Sequence, residues 1–112
     1  MTDCLFCTII NGDISVNKIY EDEDVLAFYD IKPRAPYHFL VIPKTHIKTL
    51  NNTNDEKLLG KLILIASNIT QELGFADKGY RVVMNCNKQG GQTVYHIHLH
   101  CLGGRILTWP PG

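Results

Sequence analysis

Polar and apolar residues alternate without a break from His96 to Cys101, in the order His96, Ile97, His98, Leu99, His100, Cys101. A period of two fits a β-strand, whose successive side chains face opposite ways. The three imidazoles then share one face, with successive ones about 7 Å apart along the strand. Ile97, Leu99 and Cys101 face the core, and Cys101 reads as a small buried residue. Three same-face histidines in so short a chain point to chemistry rather than to packing.

The rest of the chain supplies a sheet for this strand. Lys18 to Tyr20 and Val25 to Tyr29 are β-prone and flank the acidic string Glu21 to Asp24, which predicts a hairpin. Asp30 to Pro36 holds two prolines and reads as a loop. Phe39 to Ile42 reads as a buried strand ended by Pro43. Leu5 to Ile10 is a short apolar run, one or two helical turns, stopped by Asn11-Gly12. Thr53-Asn54-Asp55-Glu56 has a capping-box pattern, and apolar residues follow at helical spacing from Leu58 to Ile69. This main helix ends near Leu73-Gly74. Tyr80 to Met84 is a strand, Asn85 to Thr93 a polar loop, and Val94 to Leu102 the last strand, broken by Gly103-Gly104. Trp109-Pro110-Pro111-Gly112 is a tail outside helix and strand. The prediction is an α+β domain with five short strands in a mainly antiparallel sheet and one long helix.

The 112 residues are 45% hydrophobic, which fits one domain over residues 1–112 and rules out a disordered chain. Eleven basic and eleven acidic residues balance, which disfavours a basic nucleic-acid binder or a polybasic membrane module. The apolar stretch near Leu58 to Ile69 contains Gly60, Lys61 and Asn68 and is no membrane span. Met1 to Cys4 carries no basic leader and no apolar secretory core, so a cytoplasmic location is expected, with a nuclear pool compatible in a eukaryote. Cys4 and Cys7 form a C-x-x-C pair; in this setting it reads as half a metal site or a redox motif rather than as a disulfide framework.

Strand histidines can hold a metal with a third ligand. Alternatively, a neutral imidazole attacks phosphorus, provided that one ring nitrogen is free and the other is held by an acceptor. Gly90-Gly91-Gln92-Thr93, just upstream, favours phosphorus: its backbone, amide and hydroxyl donors can stabilise charge building on a phosphoryl group.

His96-Ile97-His98-Leu99-His100-Cys101-Leu102 resembles the His-φ-His-φ-His-φ-φ signature (φ apolar) of the histidine triad (HIT) superfamily. Four further segments resemble its branch of histidine triad nucleotide-binding proteins: Leu26 to Ile31, Ala35 to Lys44, Gly90 to His96, and Leu102 to Arg105 with the ending Trp109 to Gly112. The likeness runs from about Cys4 to Gly112. It implies a homodimer whose sheets join into ten strands, purine mononucleotide binding, and hydrolysis of purine nucleoside 5′-phosphoramidates, including lysine-linked and aminoacyl-adenylate types. By motif position, His98 is the nucleophile and forms a nucleotidyl-histidine intermediate. The backbone at His100 orients it, and His38, His96 and Thr93 complete the catalytic site. The same resemblance assigns Phe6, Ile9, Phe28, Asp30, Ile31, Asn85, Gly91, Gln92 and Thr93 to the nucleotide, with Asp30 on the ribose hydroxyls. Trp109 would reach the partner's site. By composition alone, Phe28 and Ile31 could equally be core, Asp30 a turn cap and Trp109 a dimer anchor.

The chain departs from the branch in two places. Thr93 stands where many members have serine, which adds a methyl beside the leaving group. Cys4 and Cys7 match the zinc-containing members, in which the ligand positions correspond to Cys4, Cys7, His46 and His96. That donor set suits a closed tetrahedral structural zinc, with none required for catalysis. Two free thiols remain the alternative. Competing functions are a diadenosine polyphosphate hydrolase or nucleotidyltransferase, a nucleotide-binding interaction protein, and a zinc enzyme built on the strand histidines.

Overall fold

A computed structural model describes residues 3–112. The elements follow in the order α1 (Leu5–Ile10), β1 (Lys18–Glu21), β2 (Val25–Tyr29), β3 (Tyr37–Pro43), α2 (Glu56–Leu73), β4 (Tyr80–Val83), α3 (Asn87–Gly90) and β5 (Leu99–Gly103). The five strands form one sheet in the order β1-β2-β3-β5-β4, antiparallel at every pairing. The α+β expectation, with one long helix, holds.

Both faces of the central strands are covered, which explains why β2 and β3 read as continuous apolar runs rather than alternations. On one face, Val25, Ala27, Phe39, Val41, Leu99 and Cys101 pack against Leu62, Ile65, Ala66 and Ile69 of α2. On the other, Leu26, Phe28, Leu40 and Ile42 receive Phe6 and Ile9 of α1. Leu40 lies opposite His100, and His38 lies opposite Leu102. His38 and His100 therefore emerge on the α1 face, beside the smaller cluster. Among the described residues, no helix is long and apolar enough to cross a membrane.

Several boundaries differ from the sequence reading. The last strand begins at Leu99, not Val94; His96 and His98 lie in an irregular run before it. Of that run, Ile97 is tied to Ile47, its N–H donating to the carbonyl at 2.8 Å. Gly103 does not break the strand but belongs to it, and Met84 lies outside β4. The polar loop from Asn85 contains the single turn α3, ended by Gly91 at φ +86°, where glycine avoids the Cβ penalty.

The cap of α2 also shifts. Asp55 is the N-cap, its carboxylate accepting from the Leu58 N–H at 3.0 Å, while Thr53 accepts from Asp55 N–H. A reciprocal capping box does occur, but at the 3-10 turn Leu50–Asn52, between Thr49 and Asn52. Asp55→Ala is expected to cost about 1 kcal/mol in urea unfolding, with Thr53→Ala costing less.

Candidate active site

His96 and His98 are fixed by main-chain carbonyls and His100 by the ring of His38, and these partners assign each tautomer. His98 Nδ1 lies 2.8 Å from the carbonyl of His96. A carbonyl only accepts, so Nδ1 carries the proton and Nε2 keeps its lone pair. The sequence reading placed the orienting acceptor at His100; the structure places it at His96. The irregular run explains the difference, because residues outside the ladder have carbonyls free for side chains.

A second set stands beside it. The Arg34 N–H donates to His38 Nδ1 at 3.0 Å, so the proton of His38 sits on Nε2. His38 Nε2 then donates to His100 Nδ1 at 3.0 Å, with an Asp30 carboxylate oxygen 3.5 Å away. His100 is left with its proton on Nε2. Asp30, His38 and His100 could geometrically meet at a metal ion. The Arg34 donor argues against it, since a metal on His38 Nε2 would need a proton on Nδ1, where an N–H already points. This trio is built to hold protons.

Burial pushes the pKa of His38, His98 and His100 down, and for His100 the neighbouring His98 and His38 help to bring it to about 4. All three are neutral at pH 7, as a nucleophilic imidazole requires. The sign for stability follows. An unfolded histidine titrates near 6.5, so between about pH 6.5 and 4 the unfolded chain binds a proton that folded His100 refuses. Stability contributed by neutral His100 is fully present above that window and declines as pH falls through it. Melting temperature is expected to fall from pH 6.5 to 4.5, with a shallower slope in His100→Asn. Parallel slopes would show that His100 is already protonated when folded.

The remaining predicted residues divide. Phe6 sits edge-on to Phe28, His96 and His98, at centroid distances of 5.8, 5.8 and 5.0 Å. Phe6, Ile9 and Phe28 are thus buried core beneath the triad. Asp30 faces His38, and its other oxygen accepts from the Lys32 N–H, so it also caps its turn. Ile31 is 92% exposed on the loop after β2 and is in neither core cluster. Asn85 lies against the Gly90-Gly91 turn. Thr93 lines a cavity of about 400 Å³ with Cys4, His46, Lys48 and Tyr95. The Gln92 amide was expected to offer donors to a phosphoryl group. Instead, both its N–H groups go to the carbonyls of Lys48 and Val94, and its oxygen accepts from Asn87 N–H. Trp109 is 79% exposed and lies over Arg81 of β4, an edge strand.

Cys4, Cys7, His46 and His96 converge, with their donor atoms all within 4.8 Å of one another. His96 Nδ1 lies 3.3 Å from Cys4 Sγ, 3.6 Å from Cys7 Sγ and 3.1 Å from His46 Nδ1; Cys7 Sγ lies 3.5 Å from His46 Nδ1. His96 Nε2 donates to the Pro43 carbonyl at 2.8 Å, which directs the Nδ1 lone pair into the cluster. The contacts that sequence reasoning missed, Pro43, Arg34 and the His96 carbonyl, are main-chain groups with no residue-type signal.

The chain matches the HIT domain over residues 11–107. It belongs to the HIT domain family. A purine nucleoside phosphoramidase of Escherichia coli K12 is 46% identical over 107 residues, covering 94% of this chain and 90% of that protein. A HIT family hydrolase from Legionella pneumophila is 52% identical, with a TM-score of 0.95 over 98% of this chain and 100% of that one. A histidine triad protein from Clostridium difficile is 44% identical, with a TM-score of 0.92 over 96% of each chain. The HIT fold thus places His38, His98 and His100 beside α1.

Proposed function

We propose that this HIT protein hydrolyses the P–N bond of purine nucleoside 5′-phosphoramidates through a covalent intermediate on His98. The observation that carries the reading is the His98 Nδ1–H bond to the His96 carbonyl, which leaves Nε2 unprotonated. Nε2 attacks the α-phosphorus, the P–N bond to the amine breaks, and a P–Nε2 bond forms. The amine leaves with a proton from the Thr93 hydroxyl or a water. The His96 carbonyl steadies the positive charge on the ring. Water then attacks phosphorus, its proton restores the donor that had protonated the amine, the P–Nε2 bond breaks, and the nucleoside monophosphate leaves neutral His98 behind. Asp30 is suited to the ribose hydroxyls, and a purine would lie over the α1 face near Phe6 and Phe28. The E. coli relative's name supports this substrate class. The test is steady-state cleavage of an adenosine 5′-phosphoramidate carrying a fluorescent amine; no cleavage by folded protein sinks the reading.

The cysteine–histidine cluster is suited to a structural zinc. Zn–N and Zn–S bonds of about 2.05 and 2.3 Å at tetrahedral angles put ligand atoms about 3.3 to 3.8 Å apart. The separations of His96 Nδ1 from Cys4, Cys7 and His46, and of Cys7 from His46, are 3.1 to 3.6 Å, close to that. Burial and neighbouring Cys4 raise the Cys7 thiol to about 11, so it needs a cation to become a thiolate. Zinc would tie α1 to the triad segment and supply no catalytic step. One zinc per chain by elemental analysis is expected, and chelation should lower the melting temperature without abolishing turnover. A metal-free protein of unchanged melting temperature after zinc addition would leave the pair as thiols.

The family likeness also supports a homodimer extending the sheet to ten strands. The exposed side chains of Ile63, Leu64, Val82 and Trp109 leave apolar surface for it. Light scattering gives the mass directly, and a monomer at micromolar concentration counts against it.

A further inference from the structure

We infer that Lys48 reads the leaving group: its ammonium takes a carboxylate carried by the departing amine, so that the favoured substrate joins the nucleotide to the amino nitrogen of an amino acid. This rests on the proposed phosphoramidate cleavage, in which the amine departs beside Thr93.

Thr93 lines the cavity of about 400 Å³ together with Lys48, Tyr95 and Asp3. Pockets for small molecules start at about 300 Å³, so an amino acid has room there. The nucleotide is proposed to lie elsewhere, near Phe6 and Phe28, neither of which lines this cavity. The space beside Thr93 is therefore left to the amine. The backbone segments that carry Lys48 and Thr93 are fixed to each other. The buried Gln92 amide donates to the carbonyl of Lys48 at 2.9 Å and to that of Val94 at 3.1 Å. The Ile97 N–H adds a bond to the carbonyl of Ile47 at 2.8 Å. The donors that Gln92 withholds from phosphate thus clamp the base of Lys48 beside the reaction. The Lys48 ammonium stands 5.9 Å from the centroid of the Tyr95 ring, within cation–π range. Among the described residues, no carboxylate lies within ion-pair distance of it, whereas Lys18, Lys44 and Lys61 are paired with acids of the β1–β2 hairpin. An anionic group entering the cavity meets a cation that no acid has neutralised. Asp3 would instead favour a cationic amine. It precedes α1 and stands outside the Gln92 clamp, so Lys48 is the better-held charge.

The experiment gives the full-length protein three adenosine 5′-phosphoramidates that differ only in the amine. Glycine carries a carboxylate, glycinamide a neutral amide and ethylenediamine an ammonium. Lys48 is exposed, so water screens the pair. At low ionic strength, kcat/KM for the glycine conjugate should exceed that for glycinamide on the order of three- to fivefold. The preference should lie mainly in KM, because the carboxylate is remote from the breaking bond, and it should shrink as salt is added. Lys48→Met keeps an apolar stem against Tyr95 and should bring the ratio to about one. Lys48→Glu should invert the order in favour of ethylenediamine. A ratio of two substrates on one preparation does not depend on how much of the enzyme is active, so partial misfolding of a variant cannot imitate the result. A wild type that cleaves all three alike overturns the inference, as does a glycine preference that survives in Lys48→Met. A wild-type preference for ethylenediamine would hand the role to Asp3 and overturn it too. If folded wild type cleaves none of the three, the phosphoramidase reading itself fails and takes this inference with it.

Discussion

His98→Ala is expected to lower phosphoramidate turnover on the order of a thousandfold or more, because covalent catalysis cannot proceed without its nucleophile. Binding of the nucleoside monophosphate should weaken far less, since Asp30, proposed for the ribose hydroxyls, and the apolar face around Phe6 and Phe28 remain. The split between kcat and binding is what separates an enzyme from a nucleotide-binding interaction protein. Quenching wild-type turnover in acid-free denaturant should leave a chain heavier by one nucleotidyl group, located by peptide mapping at His98. His98→Asn preserves volume and polarity near Phe6, so a fold defect in the alanine variant can be recognised. A variant with folded structure and near wild-type turnover would refute His98 as nucleophile. The acid-side fall in rate should come at a lower pH than an ordinary histidine would give, because burial pushes the His98 pKa down.

The histidine alternation carried most of what was legible. It located the triad, and the α1 face on which His38 and His100 emerge is the one implied by Leu40 and Leu102 opposite them. The long helix was readable from its apolar spacing and from Gly74, which caps it at φ +87°. The start of β5 was not, because alternation reports two differing environments and not hydrogen bonding to a neighbouring strand. His96 and His98 keep the alternation while leaving the ladder. Gln92 was misread for a related reason: an amide in a glycine loop looks like a donor to a ligand, yet the nearest unsatisfied carbonyls were those of Lys48 and Val94. Main-chain partners decide the tautomers of His38, His96 and His98, and a main-chain partner is invisible until the chain is folded.

Gly103 gives the largest expected effect on stability. Glycine after a strand reads as a terminator, but here it is buried within β5, and a Cβ built on it would lie 2.6 Å from Cδ2 of Phe75 and nearer still to Cε2. Phe75 cannot swing aside freely, because its ring is stacked on Tyr37 at 4.1 Å with an interplanar angle of 9°. Overpacking of this kind costs about 1–3 kcal/mol. For a domain of this size that lowers the melting temperature by roughly 5–20 °C. Gly103→Ala tests this by thermal unfolding, and Phe75→Leu in the same chain should recover part of the loss by clearing the ring edge. Tyr37 and Gly103 are register partners across β3 and β5, three residues from His100 and next to His38. The same substitution should therefore disturb the His38–His100 hydrogen bond and reduce turnover in protein that is still folded. A melting temperature within a degree of wild type would mean that Phe75 and its stack yield easily. Gly103 would then mark only the strand's end, as its sequence context first implied.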